Sequence, residues 1–142
     1  MRPSAILESA LYVTDLAAAE RFYGEVLGLE QIARAEDRHV FFQCGRGVLL
    51  LFNAEATRQQ PEPGAKLPVP PHGTAGQGHL CFSATADEIE RWKAHLTEGG
   101  VAVEADFHWP AKPGQAKGGR SIYFRDPSGN SLEFAEPKIW GL

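Results

Sequence analysis

Three side chains of this 142-residue sequence combine a reactive type with a position that needs explaining: Glu8, His79 and Glu133. Glu133 stands mid-run in Ser131-Leu132-Glu133-Phe134-Ala135, between small same-face neighbours and on the face that carries Tyr123. A carboxylate there is solvated, paired or metal-bound, because a buried charge left alone is too costly. On the wet side of an antiparallel sheet it needs no partner. Glu8 repeats the theme in Ala5–Val13, sharing a face with Ala10 and Tyr12. His79 opens the short apolar run His79-Leu80-Cys81-Phe82-Ser83, where it is either a solvated strand-start residue or a ligand. One imidazole and two carboxylates form a donor set for a divalent cation. Oxygen-rich donors favour Mn, Fe, Co, Ni or Zn, with water completing the shell, over a thiolate-type site.

These residues are far apart in sequence, so the elements must bring them together. Residues 119–136 read as two strands around Asp126-Pro127-Ser128-Gly129, which supplies an Asx side chain, a preset φ and a glycine in turn order. Ile122, Phe124, Leu132 and Phe134 form the apolar face of that hairpin. Upstream, 5–13 reads as a strand and Asp15 as a helix N-cap. The following helix carries a stripe of Leu16, Ala19, Phe22, Tyr23, Val26 and Leu27, with Gly28 as its left-handed stop. Three strands follow over 29–35, 39–44 and 47–52. The order then returns: a strand from His79, a capping box at Thr85–Glu88, a helix to Gly99-Gly100, a strand over 101–105 and the hairpin. Glu20-Arg21-Phe22 in the first helix is echoed by Glu90-Arg91-Trp92 in the second. A unit repeated at this scale is a half-core that needs a partner half.

The expected organisation is one domain over 1–142, with module one about 5–53, a Pro/Gly-rich loop 54–77 and module two about 78–137. If the modules pack with related geometry, Glu8, His79 and Glu133 point into one concave sheet face. His72 lies in the long loop and reads as solvated. His39 lines a pocket or ends a strand. His108-Trp109-Pro110 is a mobile flap over the site or a locally packed loop.

Bulk composition narrows the class. At 43% hydrophobic the chain builds a real core, and a net charge of −4 argues against a nucleic-acid surface. The run GVLLLF is far too short to span a membrane, and no apolar leader opens the sequence. The expectation is a cytoplasmic protein with no nucleic-acid or membrane partner. Two cysteines, Cys44 and Cys81, make no disulfide framework and read as buried thiols.

Leu11–Leu29, Gly78–Phe82 and above all Ile122–Phe134 (IYFRDPSGNSLEF) together resemble the vicinal oxygen chelate superfamily, the glyoxalase, bleomycin-resistance and extradiol-dioxygenase group. The resemblance covers nearly the whole chain. It implies an α+β fold of two βαβββ modules forming a curled mixed sheet around a metal pocket, and a homodimer whose sites are shared between chains. It places His79 and Glu133 at usual ligand positions and Glu8 where many members carry His or Gln. Leu50 stands where four-ligand glyoxalases carry a further ligand, and Ala10 where fosfomycin-resistance enzymes carry Thr, while Tyr123 matches those enzymes. The function implied is a metal-dependent lyase, isomerase or dioxygenase whose small oxygenated substrate chelates the ion. Glu133 or Glu8 would act as base, with Tyr123 and Arg120 orienting the substrate. Tyr12, His39, Phe52 and Trp109 would line the substrate pocket. The alternative is a metal-free protein of the bleomycin-resistance type that sequesters an apolar small molecule on its aromatic side chains.

Overall fold

Alternating apolar residues give this chain strands that are dry on one face, and two helices cover those faces. The computed structural model describes residues 2–111 and 113–142. The chain divides between Gly78 and His79 into two compact units. In the first, β1 (Glu8–Tyr12), β2 (Glu30–Ala35), β3 (His39–Cys44) and β4 (Gly47–Phe52) form a sheet of order β1-β4-β3-β2. In the second, β5 (His79–Ser83), β6 (Ala105–His108), β7 (Arg120–Arg125) and β8 (Ser131–Ala135) repeat that arrangement as β5-β8-β7-β6. In each sheet the first strand pairs parallel to the last and the other pairings are antiparallel. This is the mixed-sheet pattern of paired βαβββ modules.

Each unit's dry face has its own helix. In unit one, α1 (Leu16–Arg21) is capped by Asp15, whose side chain accepts the Ala18 N–H at 2.8 Å. The helix then widens into a π-turn over Phe22–Val26, closed by Leu27 N–H on the Phe22 carbonyl, and Gly28 leaves it at φ 66°. Tyr23 is fully buried and Phe22 nearly so, against a core that includes Val40, Phe42, Leu49 and Leu51. Burying a side chain of this size contributes about 1.5–3 kcal/mol. In unit two, α3 (Ala86–Glu98) begins with the expected capping box: Thr85 accepts from the Glu88 N–H and Glu88 from the Thr85 N–H. Trp92 of α3 stacks on Phe134 with ring centroids 4.6 Å apart, and Ile122, Phe124 and Leu132 lie beneath with no exposure.

Three details depart from the sequence reading. The strand expected at 101–105 lies instead at Ala105–His108. Val101 N–H is held by the Leu96 carbonyl at the helix end, and the register of β7 pairs Ala105 with Tyr123 and His108 with Arg120. Alternation in Val101–Ala105 mimicked a strand that tertiary pairing placed four residues later. The long loop also contains a helical turn, α2 (Ala54–Thr57), capped by the Asn53 side chain. Finally, Cys81 is exposed and Cys44 half-buried, not buried thiols: Cys81 lies on the wet face beside Glu133, and Cys44, in phase with Val40 and Phe42, sits at the last pair of its strand, opposite Gly47. Among the described residues no helix is long and apolar enough to cross a membrane.

Candidate functional site

The wet face of the second sheet is built row by row from strand register. Cys81, Glu133, Tyr123 and Ala105 lie side by side across β5, β8, β7 and β6. The neighbouring rows hold His79 beside Ser131, and Ser83, Ala135, Ser121 and Phe107. Opposite partners in either kind of ladder share a face, so these side chains meet because the hairpin sets their register. That register comes from the turn. Asp126 Oδ1 accepts the N–H groups of Ser128 and Asn130, both at 2.9 Å, Asn130 Nδ2 donates to Oδ2, and Gly129 takes φ 82°.

Glu133 is 4% exposed, and its Oε1 is buried with no hydrogen-bond partner. Its Oε2 lies 3.4 Å from His79 Nε2. The other imidazole nitrogen, Nδ1, donates to the Ser131 carbonyl at 3.0 Å. With the proton of the neutral ring held there, Nε2 turns a lone pair toward a carboxylate oxygen. Two acceptors face each other, an arrangement that calls for a proton or a cation between them. Donors each about 2.1 Å from a common ion stand about 3–3.4 Å apart. A backbone carbonyl on the far nitrogen is also the usual way a ligating histidine is oriented. The residues present therefore fit two positions of a divalent metal shell, and the orphaned Oε1 has further donor capacity. Among the described residues no group of three His, Cys, Asp or Glu side chains is arranged to hold an ion.

Two neighbours respond to the Glu133 charge. Burial first, then interaction with Glu133, pushes the Tyr123 phenol up to about 12. Burial of the sulfur, then the Glu133 charge, pushes the Cys81 thiol to about 12 as well, although Cys81 as a residue reaches solvent. Both stay protonated near neutrality, so Tyr123 is a hydrogen-bond donor. Trp109 extends the same face. Its indole N–H donates to Ser121 Oγ at 2.9 Å and its backbone N–H to the Gly119 carbonyl at 2.8 Å, which ties the chain after β6 to the sheet. The sequence reading of Cys81 as a buried thiol misses this place; its one available signal is its position two residues after His79, on the same face.

Arg120 lies on the opposite, helix-covered face. Its guanidinium donates to both carboxylate oxygens of Asp106 at 2.7 Å and also pairs with Glu90 of α3. Those pairs occupy the charge away from Tyr123 and Glu133, and nothing in the structure places Arg120 against a substrate at that site.

The remaining candidates share the wet face of the first sheet. Register places Tyr12 beside Phe52 and Phe52 beside His39, while Glu8 lies at the other end of β1, exposed and opposite Val48. His39 stacks on Phe41 with centroids 4.0 Å apart and meets Phe52 edge-on. Burial, and then the Arg38 charge, lowers its pKa below the ordinary 6.5, and its Nδ1 is buried without a hydrogen-bond partner. His72, read from sequence as a solvated loop residue, is part of this cluster. Its Nδ1 lies 2.7 Å from the Tyr12 hydroxyl and its ring packs edge-on against Phe52. The loop is pinned there by His72 N–H on the Thr57 carbonyl. The position expected for a fourth ligand, Leu50, contributes only hydrocarbon to this face.

A mixed sheet doubled along the chain, with a histidine and a glutamate meeting across adjacent parallel strands, defines a recognisable class of protein. A family model described as the Glyoxalase/Bleomycin resistance protein/Dioxygenase superfamily matches residues 5–134, and the chain belongs to that superfamily. Among solved structures it is similar to a lactoylglutathione lyase from Agrobacterium tumefaciens, with 43% identity, all of both chains covered and a TM-score of 0.89. It is also similar to virulence protein STM3117 of Salmonella typhimurium, 28% identical over 127 residues that make up 89% of this chain and 79% of that one. The crystal structure of STM3117 superposes with a TM-score of 0.67, covering 96% of this chain and 98% of that one.

Proposed function

We propose that the protein is a divalent-metal-dependent enzyme of the vicinal oxygen chelate type, a lyase in the first instance, acting on a small molecule with two neighbouring oxygens. The observation that carries this reading is the facing of His79 Nε2 and Glu133 Oε2 at 3.4 Å while Ser131 holds the other imidazole nitrogen. The similarity to a lactoylglutathione lyase supports the lyase class.

In this reading His79 and Glu133 hold the ion, and Glu8 is the third protein ligand. A bound divalent cation supplies Lewis-acid polarisation of the substrate oxygens. The protein's own groups do the rest. Ser131 fixes the imidazole so that Nε2 stays a donor atom. Glu133 Oε1, lacking a hydrogen bond, accepts a proton from the substrate. Tyr123, protonated beside it, donates to negative charge as it develops on the substrate. Trp109 and Phe107, with centroids 5.1 Å apart, limit water at one end of the face. Arg120 acts at a distance, by tying β7 to β6 and α3. The site is proposed to work in a cytoplasmic homodimer, with Glu8 supplied across the subunit boundary.

Protein purified without chelator is expected to carry near one equivalent of divalent metal per chain, and Glu133→Ala to lose it with an unchanged melting temperature. Formation of S-lactoylglutathione from the hemithioacetal of methylglyoxal and glutathione by the metal-loaded protein tests the narrower lyase reading. If purified protein holds no metal, and Mn²⁺, Fe²⁺, Co²⁺, Ni²⁺ and Zn²⁺ all leave its melting temperature unchanged, the metal reading fails.

One observation favours a second reading. The Tyr12–His39–Phe41–Phe52–His72 cluster offers stacked rings and an unpaired, buried His39 Nδ1. That chemistry suits a metal-free binder of an aromatic molecule bearing one hydrogen-bonding group.

A further inference from the structure

Beside the Cys81–Glu133–Tyr123 row the second unit contains a cavity of about 300 Å³, lined by Cys81, Ser83, Ala135, Ile139, Trp140 and Leu142 among others. Its floor continues the wet face: Cys81 and Ala135 lie in adjacent rows of the sheet, and the Cys81 thiol also interacts with Glu133. Its wall is the segment after β8, a single 3-10 turn over Pro137–Ile139 followed by Trp140 to Leu142. Gly119 lets that turn approach closely, since a Cβ there would overlap the Ile139 side chain. Glu136 also borders the cavity, but its carboxylate already accepts the Arg120 N–H at 2.8 Å and pairs with Lys138 at 2.9 Å. The cavity thus offers mainly hydrocarbon and an indole, with the Ser83 hydroxyl and the Cys81 thiol at its floor. Trp140 and Leu142 keep 73% and 89% of their surface in water, a costly place for large apolar groups.

The geometry points to this cavity as the specificity subsite of the site described above: it takes the apolar arm of a substrate whose oxygen-bearing end lies at His79 and Glu133. The inference rests on the proposed function for the occupant's polar end. An apolar cavity of about 150 Å³ holds a benzene ring, so the volume here admits an aryl group or a short alkyl chain beyond the oxygens. Trp140 is the specificity-determining residue, because it is the largest apolar surface on the wall and its strandless segment sets the width. The preferred substrates are therefore aryl- or alkyl-substituted oxygenated molecules, discriminated by arm length.

Titration calorimetry of Zn²⁺-loaded protein with acetohydroxamate, butanohydroxamate, hexanohydroxamate and benzohydroxamate tests this. Affinity is expected to rise roughly threefold per added methylene, and Trp140→Ala to abolish that gradient while binding acetohydroxamate as the parent does. Trp140→Phe should keep most of the gradient. An equal gradient in parent and Trp140→Ala overturns the inference. Failure of acetohydroxamate to bind sinks the chelation reading instead, and the cavity is then decided without metal. In a Cys44→Ser background, alkylation of Cys81 by N-methyl-, N-propyl- and N-phenylmaleimide, scaled to their rates with glutathione, should accelerate severalfold with arm size. Trp140→Ala should remove that acceleration. Flat scaled rates in the parent overturn the subsite, as does a concentration-dependent dimer lost in Trp140→Ala, which would make this wall a contact between copies.

Discussion

Glu133 is a buried carboxylate whose Oε2 faces the His79 imidazole and which also interacts with the Tyr123 hydroxyl and the Cys81 thiol. A carboxylate so placed must be paired or bound, because burying a charge alone is costly. Glu133→Gln, which keeps shape and removes charge, should lower metal affinity at least tenfold, read as loss of the Zn²⁺-induced rise in melting temperature in differential scanning fluorimetry. Tyr123 has a different role. Its phenol is pushed to about 12, so it donates at any ordinary pH. Tyr123→Phe should leave metal content unchanged and weaken acetohydroxamate by about fivefold to tenfold, the worth of one hydrogen bond. His39 titrates in the opposite sense to a paired histidine. Burial holds its pKa below 6.5, so the neutral ring favours folding, and that contribution is present above 6.5 and lost as pH falls through the lowered value. The melting temperature of the parent should drop more between pH 7.5 and 5.5 than that of His39→Phe.

At the scale of elements, the two sheets are held by different devices on their two faces. The helix-covered face of the second sheet ends in an ion-pair cluster: Asp106 on β6 receives Arg120 from β7 and Lys93 from α3, the latter at 2.5 Å. Hydrogen bonds from Arg120 are the main cause holding the Asp106 carboxyl well below the usual carboxylate range. The stabilisation is thus complete above the unfolded value near 3.8 and is lost progressively as pH falls from there through the depressed folded value. Asp106→Asn should cost about 1–2 kcal/mol at pH 7, and the difference from the parent should narrow steadily as pH falls below 3.8 in urea titrations. The Asp126 turn acts on register. Asp126→Ala removes the acceptor of two backbone N–H groups and one side-chain amide, a loss of about 2–3 kcal/mol. Because a one-residue slip sends Glu133 to the dry face, that variant should lose metal as well as stability. The strand at Ala105–His108 shows the limit of reading elements from a run of residues. Periodicity found an extended segment near 101, but hydrogen bonding to Arg120–Tyr123 decided which residues paired.

At the scale of the molecule, the doubled order of elements makes each unit a sheet with one covered face and one chemically furnished face. Glu8 lies on the furnished face of the first unit, His79 and Glu133 on that of the second. Subunit mixing decides how they combine. Glu8→Ala and Glu133→Ala proteins, each expected to bind less than a tenth of the parent's metal, should recover about half a site per dimer when unfolded together and refolded, if the ligands come from different chains. No recovery, with a monomer by light scattering, would place all three ligands in one chain.

The sequence by itself determined the repeat, the hairpin with its Asp126 turn, the two helices with their caps, and the apolar faces, because each follows from local periodicity, φ preference and capping. It also marked Glu133 and His79, since a carboxylate amid small residues and a histidine at a strand start stand out against alternation. Tertiary structure alone decided what lies opposite them. It put Cys81 beside Glu133, sent Arg120 to the ion pairs of the far face, and drew His72 out of a proline-rich loop onto Phe52. Those outcomes depend on strand register and on where a loop lands, and no residue's neighbours in sequence carry that information.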